Sequence, residues 1–163
     1  MKLTIAGTGY VGLVTGTGFA NLGNDVICFD IDGAKIDLMA DGVMPIYEPG
    51  LEEIYKRNLK TKRLKFTTDA KKAVQESEII FICVNTPTND HQEADLTAVK
   101  EVAKAIGRHM DDYKLVVNKS TVPVGTADLV EKIIKENQQK KIEFDVISCL
   151  LYTSDAADDL QPV

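Results

Sequence analysis

A glycine-rich segment near the N-terminus has residue types and spacing that could do chemistry. Residues 7–12 read G-x-G-x-x-G and follow a short apolar, β-prone run, Lys2–Ala6. In this setting Gly7 permits a tight turn, Gly9 lets the backbone approach a pyrophosphate, and Gly12 lets a helix pack close to a sheet. The start of that helix adds free amides and the positive end of a dipole. The segment therefore predicts a phosphate cradle for a dinucleotide.

An acidic residue at the end of the next predicted strand fits the same cradle. Asp30 is placed to accept hydrogen bonds from the ribose hydroxyls of adenosine. Asp30 and Asp32 would also repel a 2′-phosphate, which favours NAD over NADP as the cofactor. Lys35 follows one turn into the next helix, where it is either a ligand for phosphate or adenine or a solvated helix lysine. The sequence leaves both roles open.

Two further loops bring hydroxyl groups to the same edge of the predicted sheet. Thr86, Pro87 and Thr88 follow the fourth strand, and Ser120 and Thr121 follow the fifth. Loops that leave neighbouring parallel strands at their carboxyl ends emerge side by side. Thr, Ser and Pro are also ordinary turn residues, so these residues alone fit a turn as well as a binding site.

Short apolar runs alternate with helical patterns along the whole chain. The predicted strands are Lys2–Ala6, Val26–Asp30, Leu64–Thr67, Ile79–Val84, Leu115–Val117 and Phe144–Ile147. The predicted helices are Val11–Leu22, Ala34–Ala40, Leu51–Asn58, Asp69–Glu76, one capped by Asp95, and one capped by Thr126. The run Ile79–Val84 is apolar throughout, as in strands buried on both faces. This alternation predicts an α/β fold: a doubly wound, Rossmann-like parallel sheet of six strands with helices on both faces.

Composition bounds the possible partners. The chain has 163 residues, of which 44% are hydrophobic and 27% charged, and a net charge of −6. That length is typical of one globular domain, and the acidic balance disfavours nucleic acid or an anionic membrane as the main partner. No apolar run reaches the ~18 residues of a membrane span, and the start of the chain lacks a signal-peptide pattern, which predicts a cytoplasmic protein. Three cysteines without a Cys-x-x-Cys pair, and two histidines without a partner at metal-site spacing, predict no disulfide scaffold and no metal.

Four ordered motifs carry a resemblance to a known family. They are the glycine loop 7–12, Pro-Ile-Tyr-Glu-Pro-Gly-Leu at 45–51, Val-Asn-Thr-Pro-Thr at 84–88, and Lys-Ser-Thr-Val-Pro-Val-Gly-Thr at 119–126. Over residues 1–148 the chain resembles the NAD-binding domain of the nucleotide-sugar dehydrogenases, the UDP-glucose/GDP-mannose dehydrogenase family. The resemblance implies oxidation of the sugar C6 alcohol to a carboxylate, in two hydride transfers to two NAD. The full-length relatives are expected to be homo-oligomers.

The motif at 45–51 is more similar to the branch that converts UDP-glucose to UDP-glucuronate. Sister branches act on GDP-mannose or UDP-N-acetylmannosamine, and this alternative stays open. The same motif disfavours the alternative of a hydroxyacid dehydrogenase of related fold, such as the 6-phosphogluconate group. A third alternative is a free-standing NAD-binding module without catalysis.

The resemblance also implies roles for individual residues. Asp30 and Lys35 would hold the adenosine ribose. Thr121 would lie near the reacting centre, where its hydroxyl can help to order a water, and it is the candidate catalytic residue. The full set of expected cofactor-binding residues is Gly7, Gly9, Tyr10, Val11, Gly12, Asp30, Lys35, Thr86, Pro87, Thr88, Ser120 and Thr121.

The pattern of the family breaks after Ser148. The family continues Asn-Pro-Glu-Phe-Leu-Arg-Glu-Gly, which supplies a glutamate to the cofactor, whereas residues 149–163 contain no trace of that motif. We therefore expect an NAD-binding domain at 1–148 and a foreign, disordered tail at 149–163. The family nucleophile is a cysteine of a later domain. Cys28 and Cys83 are predicted to be buried structural thiols, and no base or cation is predicted near Cys149, so we expect these 163 residues to be inactive alone.

Overall fold

The computed structural model describes residues 1–88 and 94–149, which form one parallel sheet covered by helices. The strands are β1 (Lys2–Ala6), β2 (Asp25–Phe29), β3 (Leu64–Thr67), β4 (Ile79–Ile82), β5 (Lys114–Asn118) and β6 (Phe144–Ser148). The helices are α1 (Tyr10–Asn21), α2 (Gly33–Ala40), α3 (Leu51–Lys60), α4 (Ala70–Gln75), α5 (Thr97–His109) and α6 (Thr126–Asn137). Of the predicted tail at 149–163, all but Cys149 lies outside the described residues.

The strand order explains where a ligand can bind. The order is β3-β2-β1-β4-β5-β6, and every pairing is parallel. Strand β1 is paired with β2 on one side and β4 on the other, so the chain changes direction across the sheet at β1. In such sheets the loops diverge beyond the carboxyl ends of these strands and leave a crevice. The doubly wound, Rossmann-like fold predicted from the sequence is confirmed.

Alternating side chains of the strands build a core on each face of the sheet. Ile5 and Phe81 share one register row, and this face packs against α1 and α3. The next residues along the two strands, Ala6 and Ile82, point to the other face, where Ile82 belongs to a core with residues of α5 and α6. Helices on both faces bury the central strands, which is why β4 is apolar throughout.

Helix α1 lies very close to the sheet, because a glycine faces the strands. A Cβ at Gly16 would be 2.8 Å from Sγ of Cys28 and 3.2 Å from Cγ1 of Ile5. The absence of a side chain there lets the helix backbone approach β1 and β2. This close approach places the N-terminus of α1 directly over the carboxyl end of β1.

Most element boundaries differ by one or two residues from the sequence-based expectation, and three of these differences have a local physical reason. Strand β4 ends at Ile82 rather than Val84, because the backbone amides of Lys119 and Ser120 both donate to the Ile82 carbonyl and close the ladder. Asp95 does not occupy the N-cap of α5, although its Oδ1 accepts from the Thr97 amide at 2.8 Å.

The start of α6 is also one residue away from the prediction. Gly125, with φ of 86°, is the N-cap, and Thr126 is the first helical residue. The Thr126 hydroxyl donates to the Pro123 carbonyl at 2.7 Å instead of accepting from the helix. A glycine takes the cap because the left-handed backbone there suits a residue without a Cβ. Among the described helices, none is long and apolar enough to cross a bilayer.

Candidate functional site

The glycine loop is compressed against the end of β4. Gly7 has φ of +102°, and a Cβ there would be 2.5 Å from the carbonyl oxygen of Cys83. A Cβ at Gly12 would overlap the carbonyl oxygen of Gly7 and lie 3.3 Å from Cβ of Cys83. Gly12 therefore allows close packing of α1 against the loop itself, in addition to the sheet edge. Any side chain at Gly7 or Gly12 would displace the loop.

The N-terminus of α1 presents free amides at this loop. The N-cap is Gly9, which has no side-chain cap, and the first intrahelical donor is the Leu13 amide, 2.9 Å from the Gly9 carbonyl. The amides of Tyr10, Val11 and Gly12 precede that donor, and the first turn contains no acidic residue. A Cβ at Gly9 would come no nearer than 3.4 Å to Oδ1 of Asn85, so the loop is open above Gly9. This end of α1 is built to receive an anion.

Asp30 follows β2 and lies beside the loop as an ionised carboxylate. Its Oδ2 accepts from the Thr8 amide at 2.9 Å and from the Thr8 hydroxyl at 2.6 Å, and its Oδ1 accepts from the Asp32 amide at 3.2 Å. Burial raises the pKa of the Asp30 carboxyl, but these hydrogen bonds and the charge of Lys35 outweigh burial, so the pKa lies below its ordinary value. Asp30 is therefore charged at neutral pH.

Lys35 lies against this carboxylate rather than in open solvent. Its Nζ is 3.3 Å from Oδ2 of Asp30, and the two side chains are 30% and 16% exposed. Asp32, by contrast, is the N-cap of α2, and its Oδ1 accepts from the Lys35 amide at 3.1 Å. Lys35 is therefore paired with Asp30 rather than free in solvent, and its role as a ligand for phosphate or adenine stays a prediction.

The two hydroxyl-bearing loops meet beside the glycine loop. The Thr86 hydroxyl donates to the Thr121 carbonyl at 2.6 Å, and the Ser120 hydroxyl donates to the Val84 carbonyl at 2.8 Å. Thr86, Ser120 and Thr121 line a pocket of about 160 Å³ together with Gly9, Tyr10 and Val11. The hydroxyls of Thr86 and Ser120 thus join the loops to each other.

A larger cleft of about 830 Å³ runs from the glycine loop along the carboxyl edge towards α5. Its lining includes Gly7, Thr8, Gly9, Asp30, Lys35 and Pro87. The free amides of α1, the charged carboxylate of Asp30 and a cleft of this volume fit a dinucleotide, whose pyrophosphate accepts hydrogen bonds and whose ribose hydroxyls donate them. The residues present therefore fit NAD.

Two predicted residues, Gly12 and Thr88, line neither the cleft nor the smaller pocket, and two unpredicted ones belong to the site. Thr88 is exposed, pairs with Ala94 in an isolated bridge, and lines neither the cleft nor the smaller pocket. Asn85 lines both of them. Thr8 is fully buried and holds Asp30. Both positions stand within motifs, but nothing in their residue type alone shows the direction of the side chain.

The thiols near the site are not activated. Burial raises the pKa of Cys83 to about 12, although the charge of Lys119 lowers it. Burial also raises the pKa of Cys28, so both stay protonated at neutral pH. Cys149 is exposed and lines a shallow pocket together with Lys119, and the expectation that no base or cation is placed beside its thiol stays a prediction. Within the described residues, no cluster of His, Cys, Asp or Glu is suited to a metal ion.

Comparison with known proteins agrees with this geometry. Residues 1–159 match the NAD binding domain of the UDP-glucose/GDP-mannose dehydrogenase family. The chain belongs to this family. Its cofactor is accordingly NAD, which confirms the prediction from the glycine loop and Asp30.

Several relatives are dehydrogenases of UDP-glucose. UDP-glucose 6-dehydrogenase TuaD of Bacillus subtilis is 52% identical over 147 residues, which are 90% of this chain and 32% of the relative. UDP-glucose 6-dehydrogenase of Rhizobium meliloti is 47% identical over 137 residues, or 83% of this chain and 31% of the relative. The chain thus spans about a third of the length of the curated relatives it matches.

Solved structures from more than one branch share the fold. A UDP-glucose dehydrogenase from Pyrobaculum islandicum has a TM-score of 0.84 at 37% identity, covering 99% of this chain and 39% of that one. A GDP-mannose dehydrogenase from Pseudomonas aeruginosa has a TM-score of 0.85, also at 37% identity, covering 98% of this chain and 38% of that one. The chain is therefore an NAD-binding domain of the nucleotide-sugar dehydrogenases.

Proposed function

We propose that this chain is the cofactor-binding part of a UDP-glucose 6-dehydrogenase, which oxidises UDP-glucose to UDP-glucuronate. The observation that carries its binding function is the charged carboxylate of Asp30 beside the free amides of α1, at one end of an 830 Å³ cleft. The identity of the sugar is supported by the UDP-glucose 6-dehydrogenases of Bacillus subtilis and Rhizobium meliloti among its relatives. NAD, when bound, accepts the hydride in this chemistry.

The N-terminus of α1 and the residues of the cleft would bind different parts of the cofactor. The amides of Tyr10, Val11 and Gly12 would bind the pyrophosphate, because they have no intrahelical acceptor and lie at the positive end of α1. The Asp30 carboxylate would accept from the ribose hydroxyls, and Lys35 would hold that carboxylate from the other side. These contacts orient the adenosine half and favour NAD over NADP.

The smaller pocket would receive the reacting half. Thr86 and Thr121 line it within a hydrogen-bonded pair of loops, which fixes their positions relative to the glycine loop. We assign Thr121 the ordering of a water near the reacting centre, and Ser120 and Pro87 the lining of the cofactor site. Thr88 stays a proposed contact only by resemblance, since it lies outside both linings.

We also propose that residues 1–148 form the NAD-binding domain. The protein that contains this domain is proposed to be cytoplasmic, and its full-length relatives to be homo-oligomers. The second candidate is a sister function on GDP-mannose, because the Pseudomonas aeruginosa GDP-mannose dehydrogenase is as similar to this chain as the Pyrobaculum islandicum UDP-glucose dehydrogenase, at 37% identity each. The chain spans about a third of the length of its relatives. Oxidation of a nucleotide sugar is therefore proposed for a protein that contains this domain, and not for the 163 residues alone.

Two measurements test the proposal. Calorimetric titration of the chain with NAD and NADP should show binding of NAD with a preference over NADP; no binding of NAD would contradict the cofactor role. The protein in which this unit works should reduce NAD with UDP-glucose and not with GDP-mannose, and the opposite preference would establish the sister function.

A further inference from the structure

Thr8 is a buried polar residue inside the glycine loop, for which the proposed function has no role. The residue is 0% exposed. Its amide and its hydroxyl both donate to the same oxygen, Oδ2 of Asp30, at 2.9 and 2.6 Å. We call this pair of hydrogen bonds the Thr8 clamp. Two donors of one residue fix the position of Oδ2, and with that oxygen anchored the Asp32 amide on Oδ1 sets the rotation of the carboxylate.

The Thr8 clamp occupies one oxygen of the Asp30 carboxylate, so a ligand can hydrogen-bond only to the other. Oδ2 also receives Nζ of Lys35 at 3.3 Å, so three donors share this oxygen. Oδ1 receives one donor, the Asp32 amide at 3.2 Å. A carboxylate oxygen has about two acceptor sites, so the remaining capacity of Asp30 is at Oδ1. Asp30 lines the cleft, where that capacity is available to a bound molecule.

We infer that Thr8 is a positioning residue, whose hydroxyl helps the site to select NAD over NADP. By holding Oδ2 it keeps the carboxylate charged and turned so that Oδ1 accepts from ribose hydroxyls and opposes a 2′-phosphate. Thr8 acts through Asp30, and the inference rests on the proposed contact of Asp30 with the ribose. The backbone amide is present whatever residue stands at position 8, so the hydroxyl is the part that can be tested separately.

The test is Thr8→Val, which keeps the branched shape and removes only the hydroxyl. The 163-residue chain and its variants are titrated calorimetrically with NAD and with NADP. Thr8→Val should weaken NAD binding about tenfold, the size expected when a hydrogen bond to a charged group is lost. NADP binding should fall less, so the preference for NAD narrows. Thr8→Ser retains a hydroxyl and should keep the affinity and the preference within about twofold of the unmutated chain.

Two other buried threonines are matched controls. The Thr4 hydroxyl donates to the Ala73 carbonyl at 2.7 Å, away from the cleft lining, so Thr4→Val loses a buried hydrogen bond without touching Asp30. The Thr17 hydroxyl has no hydrogen-bond partner among the residues the structure describes, so Thr17→Val changes only polarity. Thr4→Val should lower the melting temperature, and neither control should change the ratio of NAD to NADP affinity.

A double-mutant cycle separates this inference from the proposed function. In an Asp30→Asn background, Thr8→Val should have no further effect on the cofactor preference, because its partner charge is gone. If Asp30→Asn narrows the preference and Thr8→Val leaves it unchanged, the inference is overturned and the proposed function stands. If the unmutated chain binds no NAD, or Asp30→Asn leaves the preference unchanged, both fail. Should thermal melts show that Thr8→Val is unfolded, Thr8→Ala without the β-branch decides in its place.

Discussion

The groups around Asp30 keep its carboxyl charged. The contribution of this charge to cofactor binding can be measured by a substitution that removes it. Asp30→Asn keeps the shape of the side chain and removes the charge that would oppose a 2′-phosphate. We expect NAD affinity to fall about tenfold and the preference over NADP to narrow, since hydrogen bonds to a charged acceptor are the stronger class. Calorimetric titration with both cofactors measures this. Equal affinities for NAD and NADP in the unmutated chain would contradict the role of Asp30.

The same carboxylate should give stability that depends on pH. Its pKa in the folded chain is lowered, by hydrogen bonds from Thr8 and Asp32 and by Lys35 acting against burial. A lowered pKa means that the folded state favours the ionised form, so the stabilisation is present above the pKa of the unfolded chain and is lost as pH falls through the folded pKa. The difference in melting temperature between the unmutated chain and Asp30→Asn should therefore shrink on acidification. A difference that is constant with pH would show that charge is not its source.

Gly9 separates binding from folding at a single residue. Its φ is −68°, which any residue adopts, and a Cβ would come no nearer than 3.4 Å to another group. Gly9→Val should therefore leave the melting temperature nearly unchanged while its side chain occupies the space above the amides of α1. We expect NAD binding to become undetectable by calorimetry. Gly18→Ala, at an exposed position of the same helix, is the control that should bind NAD normally.

At the scale of elements, helix α1 contains two glycines with opposite environments. A Cβ at Gly16 meets Sγ of Cys28 at 2.8 Å, whereas nothing lies within 4 Å of a Cβ at Gly18. Gly16→Ala should push α1 off the sheet and destabilise the fold by about 1–3 kcal/mol, the cost of overpacking. Gly18→Ala should stabilise it by up to about 1 kcal/mol through helix propensity. Urea unfolding of both variants checks this, and equal effects would mean that α1 does not pack as described.

The elements show what sequence patterns can and cannot predict. All six strands and six helices of the part of the chain that the structure describes were predictable, because the apolar runs and helical periods of a doubly wound sheet are strong signals. The end of β4 was not, since it depends on amides of Lys119 and Ser120, far away in the sequence, that donate to Ile82. The cap of α6 was missed because Thr126 uses its hydroxyl as a donor, which its residue type does not reveal.

Some residues of the candidate site could also be predicted from the sequence, and others could not. Gly7, Gly9, Gly12 and Asp30 could be identified because their motif follows from backbone geometry that the sequence encodes locally. Thr8 could not, because its role depends on the direction of a side chain towards a residue on another strand. The pairing of Lys35 with Asp30, at 3.3 Å, could not be predicted for the same reason.

At the scale of the whole molecule, the chain should bind NAD and turn over nothing. Cys83 is the thiol that lines the cleft, and its pKa of about 12, raised by burial, keeps it protonated at neutral pH. Cys149 has Lys119 nearby but lies in a separate shallow pocket. A thiol must be a thiolate placed beside the bound sugar to act as the nucleophile, and neither cysteine meets both conditions. Binding without turnover is therefore the expected state of these residues.

The measurement is the absorbance of reduced cofactor after the purified chain is mixed with NAD and UDP-glucose. The Bacillus subtilis relative, UDP-glucose 6-dehydrogenase TuaD, is the positive control under the same conditions. We expect no sustained reduction by the chain, while calorimetry of the same sample shows NAD binding. Sustained reduction that depends on UDP-glucose would contradict the expectation, and its loss in Cys83→Ala would identify Cys83 as the nucleophile. Its loss in Cys149→Ala instead would move the reacting centre to the pocket that Cys149 and Lys119 line.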